Sequence, residues 1–402
     1  MRATAARQAS LREHNLGLVL RVVLDSATAG APPPSRADVA AATGLARATV
    51  SALVDRLVAA GLVAELDPVP TQRAGRPAVP LAAPTGTLAA VGAEVNVDYL
   101  GVRVLDLSRR VLAEHVEHGD FRGSDPAAVL ARLGALVDTV TATLPGTHPA
   151  ARVAGATLAL PGLVDARGGA LRYAPNLGWR DVDVADLARR SSDTLRAHPP
   201  RLANEADLAA RAEAVARRTA DGRPGFVYVS GEIGVGGALV LDGEIFTGRH
   251  GWAGELGHTL VGDARTLEQV AGQDALLRAA GLDPHDGVAA LVAAAAADAP
   301  GVRAALADAG RVLGAALANV VNLVDVGHVV LGGTFASLAD HVRGPVLDAL
   351  RRHVIGAPWA APTVDVARAG DHAAMTGAAL TVLRTVVDDP SAWIVEPADA
   401  PA

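Results

Sequence analysis

Residues 35–61 read SRADVAAATGLARATVSALVDRLVAAG. Ser35 to Gly44 has the pattern of one helix, and Arg47 to Ala60 the pattern of a second. In the second, Val50, Leu53, Val54, Leu57 and Val58 recur at helical spacing and give it one apolar face. Gly44 supplies the turn between them and Gly61 stops the second helix. Two short helices around a glycine turn are the signature of a helix-turn-helix. Upstream, Arg7 to Leu24 predicts an opening helix, ended by the break APPP at 31–34. Downstream, Leu62 to Leu66 predicts a strand, Thr71 to Pro77 (TQRAGRP) a small basic loop, and Ala78 to Leu81 a second strand. Strand, basic loop and strand together form the wing of a winged helix. Ala82 to Gly86 reads as a linker, which sets the domains at 1–85 and 86–402.

The rest of the chain bounds what the molecule can be. Its 402 residues are enough for two or three domains, and half of them are hydrophobic. There is no cysteine, which removes disulfides, thiol catalysis and cysteine-ligated zinc together. There is no lysine either, so every basic side chain is arginine. Met1 to Arg12 carries charges and no apolar core, so no signal peptide is expected. Runs such as Leu291 to Ala297 are too short to span a bilayer. A soluble, cytoplasmic protein without a membrane partner is the expectation. The net charge of −7 is unevenly spread. Residues 1–80 hold nine arginines against six carboxylates, and the remainder 27 against 37. A basic end on an acidic body suits binding of DNA through that end.

From Leu88 onward, strands and helices alternate, which predicts an α/β body. Ala89 to Asn96, Tyr99 to Leu107 and Arg110 to His118 read as three successive strands. Ala127 to Leu144 reads as a helix, and Arg152 to Leu160 as a buried strand ending in Pro161 and Gly162. A second strand–turn–strand opening near Phe226 suggests a duplicated, two-lobed body. Helices are predicted over Ala206 to Thr219, Ala304 to Leu323 and Ala373 to Val387. The tail after Val387 reads as loosely ordered, with Trp393 and Ile394 able to dock.

These residues resemble the ROK family of repressors, open reading frames and sugar kinases. The resemblance rests on LREHN (11–15), residues 35–63 and GRP (75–77) in the first domain. In the body it rests on ALPGLVD (159–165), APNLGW (174–179), NEADLAA (204–210), HGWAGELGH (250–258), TLEQVAG (266–272) and VVLGG (329–333). It implies an actin-like, sugar-kinase fold with sugar in the cleft between two lobes. It also implies that Asn204, Glu205, Glu255, His258 and Glu268 bind sugar hydroxyls, with Asn176 and the Pro161–Gly162 turn lining the same cleft. Carboxylates, amides and imidazole together satisfy the donors and acceptors of vicinal hydroxyls. Trp179 and Trp252 are candidates either for stacking on a sugar face or for core packing.

The chain departs from the family pattern at three places. ROK kinases hold ATP phosphates on glycine-rich turns, where a backbone without Cβ can approach closely. Here the first turn reads Glu94, Val95, Asn96, Val97, Asp98, and the second reads Gly231, Glu232, Ile233, Gly234. Carboxylates stand where anions would sit. The kinase base is an Asp after the Asn, but here it is Glu205, one methylene longer. A misplacement of about 1 Å can cost roughly 100-fold in rate. No catalytic residue is therefore assigned, and the chain is read as a non-enzyme. The family zinc site joins a His to three Cys. His258 remains, no Cys exists, and four ligands are needed for tetrahedral zinc, so neither metal nor cofactor is expected.

The second helix of a helix-turn-helix enters the major groove with its N-terminal residues on base edges. Arg47 is the candidate for guanine, since its fork matches O6 and N7. Thr49 and Ser51 can reach bases or phosphate, and Arg56 phosphate. Ser35 and Arg36, at the start of the first helix, belong to the same candidate face. Arg73 and Arg76 around Gly75 are placed on the wing, suited to a narrow minor groove. The expectation is a sugar-responsive regulator, a repressor of carbohydrate genes, acting on operator DNA as a homodimer or homotetramer. The alternative is a ROK sugar kinase with a DNA-binding extension.

Overall fold

A computed structural model describes residues 2–28, 31–68, 78–165, 169–218, 222, 224–262 and 264–394. The first helix, α1, runs Arg2–Thr28. Next, α2 (Arg36–Thr43) begins at a capping box, in which Ser35 and Asp38 bond each other's backbone amides. It ends at Gly44, whose φ of 71° is open to glycine at no steric cost. The following helix, α3 (Arg47–Ala59), leaves at 117° to α2. It buries Val50, Leu53, Val54 and Leu57, four of the five residues that its spacing singled out. Strands β1 (Ala64–Glu65) and β2 (Leu81–Ala82) then pair antiparallel. Both are shorter than expected. The basic loop between them, with Arg73, Gly75 and Arg76, lies outside the described residues.

The body contains two five-stranded sheets of the same design. In the first, β3 (Leu88–Val95), β4 (Tyr99–Leu105) and β5 (Val111–His118) form an antiparallel meander. Strands β6 (Arg152–Leu160) and β10 (Arg201–Asn204) add in parallel on the other side of β3. A small sheet of β7 (Leu163–Asp165), β8 (Ala170–Ala174) and β9 (Trp179–Val182) intervenes. In the second lobe, β11 (Phe226–Gly231), β12 (Val235–Leu241) and β13 (Glu244–Ile245) repeat the meander. Strands β16 (His328–Gly332) and β17 (Thr363–Val366) repeat the parallel additions, after the short β14 (Leu260–Val261) and β15 (Arg265–Thr266) hairpin. The duplication suggested by the strand pattern near Phe226 is therefore present in the strand order itself.

Helices cover the sheets. In the first lobe these are α4 (Pro126–Ala142), α5 (Leu144–Thr147), α6 (Val184–Ser191) and α7 (Asp193–Ala197). Between the lobes runs α8 (Glu205–Ala216). The second lobe carries α9 (Leu267–Ala271), α10 (Gln273–Ala279), α11 (Gly287–Ala296), α12 (Pro300–Val324), α13 (Gly333–Ser337) and α14 (Ala339–His353). Helix α15 (Ala373–Asp388) returns across both lobes. Two segments, Pro126–Thr147 and Gly301–Val324, are long and apolar enough to cross a membrane by length and composition. In this fold their leucines are spent on the sheets: Leu130 and Leu133 join the core of the first lobe, and Leu313 and Leu317 that of the second.

Small residues let α8 and α15 pack closely. Ala209, Ala210, Ala374 and Ala378 form one apolar cluster with Phe226 and Tyr228. The hydrophobic contact does not stop at residue 86. Leu16, Leu20 and Val23 of α1 share a cluster with Leu57 of α3, Leu88 and Ala90 of β3, and Leu383 and Val386 of α15. The expected linker is pinned as well: the Gly86 amide donates to Asp106 Oδ2 at 2.9 Å, and Thr87 Oγ1 to the Gly61 carbonyl at 3.0 Å. Trp393 and Ile394 pack on the same cluster, after a 3-10 turn over Pro390–Trp393.

Candidate functional sites: an interlobe cleft and an exposed helix

The cleft between the lobes gathers all six residues proposed for sugar. Asn176, Asn204, Glu205, Glu255, His258 and Glu268 line one cavity, together with Asn96, Glu232 and the Pro161–Gly162 turn. Different elements deliver them. Asn204 ends β10 and Glu205 begins α8. Glu255 and His258 flank a 3-10 turn, and Glu268 sits in the first turn of α9.

Their hydrogen bonds separate them by role. Asn204 is largely committed to the fold: its Oδ1 caps α8 by accepting from the Ala206 and Asp207 amides, and its Nδ2 donates to the Gly162 carbonyl at 2.9 Å. It positions the turn and the helix and has one N–H left for a ligand. Glu268 Oε2 accepts from the Val235 amide at 3.1 Å, which aims the carboxylate into the cleft. Gly234 is required beside it, because a Cβ there would collide with Glu268 Oε2 and crowd Asn176 Nδ2. Burial raises the Glu255 pKa above its ordinary value; His258 opposes that shift and Glu268 adds to it. His258 is exposed at the rim.

Trp179 belongs to the core: it is 1% exposed, and its Nε1 donates to the Ser124 carbonyl. Trp252 is exposed, stacks on His250 and donates to the Val164 carbonyl.

Beside these residues lies a feature that the sequence showed only in pieces. Asn96 Nδ2 points at three carboxylates from three elements, Glu94 Oε1, Glu205 Oε2 and Glu232 Oε2, each 3.4 Å away. Glu94 is 2% exposed and its Oε2 has no hydrogen-bond partner. Burial pushes its pKa up to about 7, with Tyr99 and Asn96 opposing the rise. Burial also drives Glu205 and Glu232 upward; repulsion from Glu232 and Glu94 adds to the rise of Glu205, and repulsion from Glu94 and Asp98 to that of Glu232. Asp98, nearby, is raised by burial too. Like charges this close cannot all ionise. At neutral pH the group holds protons that ordinary carboxyls have lost, and a protonated carboxyl donates a hydrogen bond to a hydroxyl. Residue by residue, Glu94, Asp98 and Glu232 were legible as carboxylates in phosphate turns; their convergence with Glu205 on Asn96 was not.

Zinc fits this chain poorly. Within the stretch where the resemblance places cysteines, Leu260 pairs with Thr266 and Val261 with Arg265. No cysteine exists, and among the described residues no cluster of three or more His, Asp or Glu is arranged to hold a metal.

At the other end of the molecule, Arg47, Ala48 and Thr49 are exposed on the first turn of α3, and Ser51 is half-buried. Arg56 lies about two and a half turns along the same helix and is half-buried. Ser35 and Arg36 have structural work instead. Ser35 caps α2. Arg36 pairs with Asp55 of α3 and Glu65 of β1, tying the helix pair to the wing strand. Of the residues expected to face DNA, those at the start of α3 are thus the most exposed among the described residues.

Residues 91–385 match the ROK family, and residues 26–75 match the MarR family. A xylose repressor from Caldicellulosiruptor bescii is 24% identical over 408 residues, spanning 94% of this chain and 98% of its own length. Among solved structures, a ROK family transcriptional regulator described as a homologue of Escherichia coli MLC superposes with a TM-score of 0.74 at 24% identity. It covers 94% of this chain and 97% of its own. A ROK family glucokinase from Streptomyces griseus, solved with glucose and AMPPNP, superposes with a TM-score of 0.60 at 21% identity. It covers 73% of this chain and 98% of its own.

Proposed function

This chain belongs to the ROK family, and from that premise we propose that it is a sugar-responsive transcriptional repressor without kinase activity. One observation supports the reading: a polar interlobe cleft lies beside a buried cluster of carboxylates, on the same body to which a helix-turn-helix is fused. Asn176, Glu205, Glu255, His258 and Glu268 contact the sugar, and Asn204 holds the floor in place. Arg47, Thr49 and Ser51 read the major groove, Arg56 meets phosphate, and Arg73 and Arg76 serve the wing. A dimer of such modules reads half-sites about 34–36 Å apart, with the body supplying the contacts between copies. Acting on operator DNA places the protein in the cytoplasm. Sugar binding closes the lobes about α8 and α15 and shifts α1, which packs on α15. The size of the response is set by the sugar's differential affinity for the two states.

The relative named as a xylose repressor puts xylose first among ligands to try. The likeness to a glucokinase keeps a second reading in view, with Glu205 as a displaced base. Calorimetry with xylose, glucose and other monosaccharides, run beside a coupled assay for ATP-dependent phosphorylation, separates the two. Heat from at least one sugar with no ADP formed supports the proposal. Turnover above the no-enzyme control overturns it, and the absence of heat from every sugar overturns the ligand class.

A further inference from the structure

A second cavity, of about 220 Å³, lies away from the cleft, where α1 meets α8, α15 and the turn between β4 and β5. Five arginines line it: Arg21 of α1, Arg109 of the turn, Arg211 and Arg218 in and just beyond α8, and Arg384 of α15. Among the described residues, three carboxylates accompany them, Asp25, Glu244 and Asp388. Those three are already engaged. Arg218 binds both oxygens of Asp25, at 2.7 and 2.9 Å, and Arg21 binds Asp388 at 2.9 Å. Arg384 pairs with Glu244 and reaches Asp388 at 3.5 Å. Among the described residues Arg211 makes no hydrogen bond or ion pair. Burial lowers the pKa of both Arg211 and Arg109, so each is held where its charge is poorly solvated. Arg109 is also fixed by a backbone φ of 65°, a conformation that side chains other than glycine rarely adopt.

We propose that this junction cavity is a second effector site that takes a phosphate-bearing anion, with Arg211 as its principal ligand and Arg109 beside it. Guanidinium forks bind phosphate through paired N–H bonds, which is where arginine exceeds any other side chain. The acidic cleft repels the same ligands, so the two cavities sort small molecules by charge.

The site is placed to act on DNA binding. Its walls are α1, which leads into the helix-turn-helix, and α8, whose first turn carries Glu205 in the cleft. From Glu205 to Arg211 is about 9 Å along one rigid helix, at about 1.5 Å per residue. An anion seated between α8 and α1 competes with Asp25 and Asp388 for the arginines that now join the two halves. The inference is independent of the sugar reading, because it uses no cleft residue as a ligand.

The test uses the full chain, with inorganic phosphate and glucose 6-phosphate as probes, and calorimetry and operator binding as readouts. Wild-type protein should bind at least one probe, and that probe should change operator affinity. The tighter of the two identifies free phosphate or a phosphate ester as the source. Arg211→Gln should weaken the binding about ten-fold or more, the scale of a lost charge-assisted bond. The unfolding midpoint without ligand should stay level or rise, since an unpaired buried charge is removed. Glu268→Gln, in the cleft, should leave anion binding unchanged. The proposal is overturned if neither probe binds, if Arg211→Gln binds as wild type does, or if Glu268→Gln abolishes binding of the ester.

Discussion

Replacing Glu94 by Gln tests the buried carboxylate cluster directly. The side chain is 2% exposed and its Oε2 lacks a partner, so its charge is costly whenever it forms. Its pKa is raised from 4.5 to about 7, chiefly by burial. At 1.36 kcal/mol per unit, that shift is worth roughly 3 kcal/mol. The folded protein keeps the proton up to about pH 7, while the unfolded chain releases it near pH 4.5. The stability this proton confers is therefore complete below pH 4.5 and is lost as pH rises through 7. Gln does not titrate and keeps the acceptor that faces Asn96. Relative to wild type, Glu94→Gln should gain about 2–3 kcal/mol in stability between pH 5 and pH 8.5. Urea unfolding of both proteins at pH 5, 7 and 8.5 measures the difference. Two parallel pH profiles would show that Glu94 ionises freely in the folded protein and would refute the cluster as described.

Three further outcomes follow from other parts of the structure. Arg47→Ala should cost operator binding about 1–3 kcal/mol, as the loss of a bidentate base contact does, without moving the unfolding midpoint; unchanged affinity in an anisotropy titration would misplace the recognition helix. Gly234→Ala should push Glu268 off the Val235 amide and weaken sugar binding at least ten-fold by calorimetry, about the loss of one hydrogen bond to a charged group; an unchanged Kd would remove Glu268 from the ligand set. Glu213 is fully buried, pairs with Arg217 and accepts from the Arg368 and Ala369 amides. Glu213→Ala should lose about 3–5 kcal/mol, the scale for breaking a buried pair, and a loss under 1 kcal/mol in urea unfolding would mean that this network does not anchor α8 to β17.

Much of this molecule is legible in its residues, and the limits are physical. Helices α2 and α3 can be read to within a residue because their signals are local: a capping box at Ser35, a left-handed glycine at Gly44, an apolar stripe from Val50 to Leu57. The duplicated sheets can be read because each meander repeats one spacing of β-branched strands. The cleft residues are legible as a set only through the family resemblance. Nothing local in Asn176 or Glu268 distinguishes a ligand from a surface side chain. The bond from Asn204 to the Gly162 carbonyl and the ion pair of Arg36 with Glu65 depend on neighbours 42 and 29 residues away. The convergence of Glu94, Glu205 and Glu232 on Asn96 spans up to 136 residues of chain. The junction cavity is illegible for the same reason, since its arginines are scattered from position 21 to 384.

The central claim is that sugar in the cleft governs DNA binding at the far end. The most direct measurement is fluorescence anisotropy of labelled DNA from the gene's own upstream region, titrated with the full chain alone and with each monosaccharide. The account predicts salt-dependent binding whose Kd is shifted by at least one neutral sugar, with the shift abolished in Glu268→Gln. Binding that no sugar alters, or a shift that survives in that variant, would contradict it.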